Sequence, residues 1–230
     1  MSACTLKEPV VSERLKQSSG KTGKSRRTRV RPEPPVALAA TLRGNSVFLA
    51  GFMGAGKSSV GRALGRRLNW IFEDLDDRIE ARERRTVAEI FRDSGELEFR
   101  RAEHAALQQV LRELESGCAR IVALGGGAFV GSENAALLKA SSVPTVFLDA
   151  PVEELWERCC AQARQSGVER PLLRSMEQFR KLYETRRRNY SQASLKIQTG
   201  GRDLDTIVDE IAETLGLKKI ALRTEQGEVE

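Results

Sequence analysis

Gly51-Phe52-Met53-Gly54-Ala55-Gly56-Lys57-Ser58 decides the fold of this chain. Its glycines let successive backbone N–H groups turn inward around phosphate oxygens, its Lys can reach the outer phosphates, and its Ser hydroxyl suits magnesium. The flanks supply the context that such a phosphate-binding loop needs. Ser46-Val47-Phe48-Leu49-Ala50 is a short, apolar, β-prone run expected to form a buried parallel strand. Behind the loop, Val60, Ala63, Leu64 and Leu68 recur at helical spacing, so the loop is expected to open a helix over Ser59 to Leu68 whose first N–H groups add to anion binding.

Further on, the chain alternates strand and helix signals. Asn69–Phe72, Ile121–Leu124, Pro144–Leu148 and Leu195–Ile197 read as strands; Asp76–Arg82, Leu97–Glu115, Val152–Ala163, Ser175–Arg188 and Asp203–Leu215 read as helices. Thr86-Val87-Ala88-Glu89 is a capping box opening the helix that carries Ile90 and Phe91. Strands separated by helices imply an α/β fold: a central parallel β-sheet covered by helices on both faces, with ligands beyond the carboxyl ends of the strands.

Other chemically loaded segments fall at such ends. Glu73, Asp74, Asp76 and Asp77 follow the second strand, where carboxylates near a phosphate loop suit magnesium or hydroxyl binding, although acids also favour a helix N-terminus on structural grounds alone. Gly125-Gly126-Gly127 follows the third strand, where a side chain would block close approach. Arg164, Arg170, Arg186, Arg187 and Arg188 supply cations to the last third of the chain. The single histidine, His104, weakens any histidine triad or zinc site, and reads as a surface or helix-packing residue.

Charge is unevenly placed. Residues 1–44 hold ten Lys/Arg against three Asp/Glu, so in a chain of net charge +6 the remainder sums to −1. This polar, proline-punctuated segment is expected to be a disordered basic extension, read as a solvated tail without a role, an organelle transit peptide or a nucleic-acid arm. A folded domain is expected over 45–217 and a polar C-terminal tail over 218–230. The near-neutral body has no interleaved aromatic and basic platform for nucleic acid, and no apolar run is long enough to span a membrane. Four cysteines, with Cys159 and Cys160 adjacent on a helix where their side chains diverge, offer no disulfide framework and indicate a reducing, cytoplasmic location; the pair reads as buried thiols.

One ordered set of motifs goes further. It comprises the phosphate loop, Asp74-x-Asp76-x-x-Ile79-Glu80, Ile90-Phe91 with Gly95-Glu96, Phe99-Arg100-x-x-Glu103, the triple glycine, Arg170-Pro171-Leu172-Leu173 and Arg186-x-x-x-Tyr190. Over about residues 46–215 this set resembles the shikimate kinase family, ATP-dependent small-molecule kinases of the P-loop class. The resemblance implies phosphorylation of the 3-hydroxyl of shikimate by a monomer, with magnesium as cofactor and ATP as co-substrate. Gly54, Ala55, Gly56, Lys57, Ser58 and Ser59 would hold the ATP phosphates; Ser59 stands where Thr is common. Ser58 and Asp74 would hold magnesium, and Lys57 would contact the transferring group. Asp76 would bind ring hydroxyls and orient or deprotonate the attacking one. Arg100 and Arg186 would grip the carboxylate, Gly126 would contact the substrate through its backbone, and Phe91 and Phe99 would flank the ring. Arg170 would close on the γ-phosphoryl from a mobile lid over about Gln162 to Pro171, with Arg164 a second lid candidate, and Arg202 would approach adenine. Arg187 remains an alternative to Arg186. The competing readings are a sister kinase for another hydroxylated acid such as gluconate, and a P-loop binding protein without turnover.

Overall fold

The computed structural model describes residues 45–129, 131–166 and 175–220. Five strands form one sheet: β1 (Ser46–Ala50), β2 (Ile71–Asp74), β3 (Arg120–Ala123), β4 (Thr145–Asp149) and β5 (Leu195–Gln198). Their order is β2-β3-β1-β4-β5 and every pairing is parallel. The helices are α1 (Lys57–Leu68), α2 (Leu75–Glu83), α3 (Val87–Leu114), α4 (Ser132–Ser141), α5 (Val152–Ser166), α6 (Met176–Tyr190) and α7 (Leu204–Thr214). The expected α/β fold with a central parallel sheet is therefore present.

Burial explains the order. β1 and β4 are covered along their whole length, as a parallel strand between helical layers must be, and their sequences are accordingly continuous apolar runs. β2, at the edge, leaves Ile71 55% exposed. From β1 the chain leaves toward one edge of the sheet and from β4 toward the other, so a crevice opens beyond the carboxyl ends of the central strands. The phosphate loop leaves β1 at that crevice.

Three expectations shift. The second strand begins two residues later than the apolar run suggested, because Asn69 adopts a left-handed conformation (φ 57°) that closes α1, a role open to Asn among few side chains. As a result Asp74 is both the last residue of β2 and the N-cap of α2, its Oδ1 accepting from the Asp76 N–H at 3.2 Å. Second, the capping box at Thr86 and Glu89 forms as expected, but the helix it opens runs into the expected 97–115 helix; the two make one 28-residue element broken only at Gly95 (φ 79°, ψ 176°). Third, α4 was not anticipated at all.

The expected polar tail starts with an anchored stretch. The Ile220 N–H donates to the Leu68 carbonyl at 2.9 Å, the Trp70 indole to the Lys218 carbonyl at 3.1 Å, and Asn69 to the Ile220 carbonyl at 3.2 Å. These bonds satisfy the end of α1 and the buried indole together.

Candidate active site

The loop from β1 to α1 places Lys57 and Ser58 at the first turn of α1. Gly54 and Gly56 take positive φ, and no atom lies within 4 Å of where a Cβ on Gly56 would stand, so the loop keeps an open bowl of the kind in which backbone N–H groups can meet an anion. Lys57 folds its ammonium back onto the Gly51 and Phe52 carbonyls at 3.0 and 3.3 Å. Burial holds its pKa below the ordinary value against the opposing pull of Asp76 and Asp74. Ser58 donates to Asp74 Oδ2 at 2.8 Å. Two hard oxygens thus meet beside the bowl, a donor set suited to magnesium. Among the described residues no group of three or more His, Cys, Asp or Glu stands at metal-binding positions, so a cation here would draw its remaining ligands from phosphate and water, as magnesium commonly does.

A cavity of about 370 Å³ extends from this bowl. Lys57, Ser58, Asp74, Asp76, Arg100, Gly126 and Arg186 line it, together with Phe91 and Phe99. The two rings face one another at 4.5 Å between centroids across the Gly95 break.

The triple glycine ties these groups together. A Cβ on Gly125 would stand 2.5 Å from Asp76 Oδ1 and 3.2 Å from Glu103 Oε1, and one on Gly127 would stand 2.3 Å from Arg100 Nη1. Gly126 keeps ordinary distance, but its carbonyl accepts from Arg186 Nη1 at 3.2 Å and from the Tyr190 hydroxyl. Each of three consecutive positions is therefore claimed by a different side chain: a carboxylate, then a guanidinium, then a second guanidinium.

Asp76 and Glu103 are the electrostatic centre. Burial, with Asp74 and Glu103 nearby, pushes the Asp76 carboxyl from 3.8 up to about 6, Lys57 pulling the other way. Glu103 is 1% exposed, and burial raises its pKa as well while Arg100 opposes the rise. Arg100 Nη1 donates to Glu103 Oε2 at 2.9 Å, and Glu96 takes two further contacts from the same guanidinium, so the arginine is held at both ends. Asp76 Oδ1 and Glu103 Oε1, both beside Gly125, are buried and make no hydrogen bond among the described residues.

The arginines of the Arg186-Arg187-Arg188 run take different directions. Arg186 lines the cavity and lies over the Phe52 ring at 5.8 Å, whereas Arg187 turns away to Asp149 at 3.1 Å. Arg202 is not brought to the cavity: it donates to the Gln198 carbonyl at 2.9 Å and pairs with Glu210 at 2.6 Å. Gln162 lines the cavity but Arg164 does not, and Arg170, with residues 167–171 of the expected lid, lies outside the described residues. Ser59 lines the bowl beside Ser58.

Several partners escaped sequence reasoning. Glu103 stood inside a quoted motif without a role; its burial is visible only in three dimensions. Arg158 reaches the Gly54 carbonyl at 3.4 Å and the Thr199 carbonyl at 3.2 Å, joining the phosphate loop to the end of β5. His104 is a helix-packing residue, bonded to Asn134 of α4 at 2.8 Å and to Gln108 at 3.0 Å. Cys159 is buried under Gly54, but Cys160, on the diverging side of α5, is only half-buried.

The shikimate kinase family profile matches residues 53–216, from the phosphate loop to just past α7. The chain belongs to the shikimate kinase family. It is 36% identical over 167 residues to shikimate kinase of Persephonella marina, covering 72% of this chain and 96% of that one. It is 35% identical over 209 residues to shikimate kinase of Cereibacter sphaeroides, covering 90% and 100%. Among solved structures, shikimate kinase from Aquifex aeolicus superposes with a TM-score of 0.63 at 34% identity over 74% of this chain and 96% of that one. Shikimate kinase from Acinetobacter baumannii, in complex with shikimate, gives 0.66 at 31% over 77% and 96%. The chain is accordingly an ATP-dependent kinase of shikimate. No helix among the described residues is long and apolar enough to cross a membrane.

Proposed function

We propose that the γ-phosphoryl group of ATP passes to the 3-hydroxyl of shikimate in this cavity, with Asp76 between the phosphate bowl and two carboxylate-binding arginines. One observation carries the reading: the triple glycine packs Asp76, Arg186 and Arg100 onto three successive residues, so a ring held by its carboxylate lies within reach of the acid. Arg100 and Arg186 present planar forks suited to a carboxylate, and Gly126 offers its backbone beside them. Asp76 accepts a ring hydroxyl and takes its proton as that oxygen attacks the γ-phosphorus in line with departing ADP.

The bowl formed by Gly54, Ala55, Gly56, Lys57, Ser58 and Ser59 receives the phosphates, and Lys57 leaves its backbone carbonyls to meet the charge on the transferring group. Ser58 and Asp74 would hold magnesium, which when bound would supply positive charge to neutralise the phosphates. The family resemblance gives Arg170 the task of neutralising charge on the γ-phosphoryl group. The chain acts as a monomer in a reducing, cytoplasmic setting, a location that its cysteines, which offer no disulfide framework, support. Two cavity arginines favour a carboxylate-bearing acceptor.

Product analysis tests the site of transfer. After reaction with ATP and magnesium, phosphorus-coupled NMR should place the phosphate on the 3-oxygen of shikimate; phosphate on another oxygen overturns the role given to Asp76.

A further inference from the structure

Asp149 ends β4 with a carboxylate that is 3% exposed. Tyr183 donates to its Oδ1 at 2.7 Å, Arg187 donates to its Oδ2 at 3.1 Å, and Lys196 of β5 lies 2.9 Å from the same oxygen. Burial alone would raise its pKa, but these three donors hold it below the ordinary value, so the group is a paired carboxylate at neutral pH.

Its two partners on α6 are spaced four apart and share one face of the helix. A second pair with the same spacing, Arg186 and Tyr190, donates to the Gly126 carbonyl. The helix is therefore pinned twice, to the end of β4 by Tyr183 and Arg187 and to the glycine loop by Arg186 and Tyr190. Successive residues on a helix point about 100° apart, so one arginine of Arg186-Arg187-Arg188 can face the cavity at a time. Arg187 is the one Asp149 takes, and Arg188 is exposed.

We infer that Asp149 is a positioning residue for the acceptor carboxylate: by holding Tyr183 and Arg187 it sets the rotation of α6 that directs Arg186 into the cavity. This rests on the reading that Arg186 binds that carboxylate. Asp149 is not among the residues that line the cavity and is bonded to neither the bowl nor the triple glycine, so its effect on substrate runs through the helix.

A double-mutant cycle on the full chain tests it, with Asp149→Asn, Arg186→Lys and the pair, each measured for kcat, for KM of shikimate and ATP, and for Tm. The expected result is a shikimate KM raised about tenfold by Asp149→Asn with the ATP KM within about twofold, and less than about twofold added by the same change in the Arg186→Lys background. Arg187→Lys, which keeps a cation for Asp149, should stay within about threefold of the parent, and Arg187→Leu should follow Asp149→Asn. If Asp149→Asn does not fold, Arg187→Leu takes its place in the cycle. Additive losses, equal losses for both ligands, or an unchanged shikimate KM overturn the inference. If Arg186→Lys itself leaves the shikimate KM unchanged, the role of Arg186 falls and this inference falls with it; if that variant is impaired and the cycle is additive, the inference alone falls.

Discussion

Ser58 donates its hydroxyl to Asp74 at 2.8 Å, joining the first turn of α1 to the last residue of β2 across the phosphate bowl. The bond brings a neutral and an anionic oxygen together, with each held by the element that carries it: Ser58 by the helix start, Asp74 by its capping bond to the Asp76 N–H.

Removing either oxygen should weaken magnesium use more than folding. Asp74→Asn removes the charge and keeps the cap, so it should raise the magnesium concentration needed for half-maximal rate by about tenfold or more, with Tm within a few degrees of the parent. Magnesium titrations at saturating ATP and shikimate check this; an unchanged magnesium requirement would place the cation elsewhere.

Carboxylate binding should be sensitive to fork geometry. Arg100→Lys and Arg186→Lys each replace a planar fork by a point charge, and should weaken shikimate binding by about 1 to 3 kcal/mol, roughly 5- to 150-fold, while ATP affinity barely changes. Separate titrations of the two ligands decide between this and a general structural role, in which both affinities would fall together.

The central strands, the phosphate loop and the capping box at Thr86 were legible because each is a local pattern: a continuous apolar run, glycines before Lys-Ser, a Thr three residues before Glu. What escaped was set by distant partners. Asn69 ends α1 because its backbone can turn left-handed there, which slid β2 along by two residues. α4 buries only Asn134 and Leu138, a face too narrow and too polar to register as periodicity. Arg187 turns to Asp149, far off in sequence, while Arg186 lines the cavity, and Glu103 is buried by elements that its own stretch of sequence does not contain.

The triple glycine should respond unevenly. Gly127→Ala would press on Arg100 and Gly125→Ala on Asp76, at 2.3 and 2.5 Å, whereas Gly126→Ala meets nothing closer than 3.4 Å. Because the clashing atoms are ends of side chains, the fold should survive. Gly127→Ala should raise the shikimate KM by about tenfold, Gly125→Ala should lower kcat, and Gly126→Ala should lie nearest the parent. A uniform effect across the three would show that backbone conformation, not the facing side chains, demands glycine.

Acidity of the site gives a pH signature. With the free-enzyme carboxyl of Asp76 near 6, kcat/KM for shikimate should fall as pH drops through that value, about tenfold per unit below it. The same shift acts on stability with a definite sign. Between 3.8 and about 6 the folded state binds more protons at this group than the unfolded state does, so the group's contribution to stability is largest below that window and is lost as pH rises through it. Asp76→Asn should therefore be inactive yet gain in Tm relative to the parent on going from pH 4 to pH 8. A gain that shrinks toward pH 8 would contradict the raised value.

Truncation after Leu217 removes the Lys218 and Ile220 partners of Trp70, Asn69 and Leu68. Leaving a buried indole N–H without an acceptor costs about 1 to 3 kcal/mol, which in a domain of this size lowers Tm by about 2 to 10 °C. Activity per folded molecule should be kept. Thermal melts of the two forms measure it, and an unchanged Tm would mean that these bonds contribute nothing net.

The central claim, transfer from ATP to shikimate in the cavity of Asp76, Arg100 and Arg186, is tested most directly by coupled measurement of ADP release with shikimate, with gluconate and with no acceptor, in magnesium and in EDTA. ADP release that requires both shikimate and magnesium, with gluconate no better than no acceptor, is the expected result; turnover equal with gluconate, or undiminished in EDTA, would contradict the account.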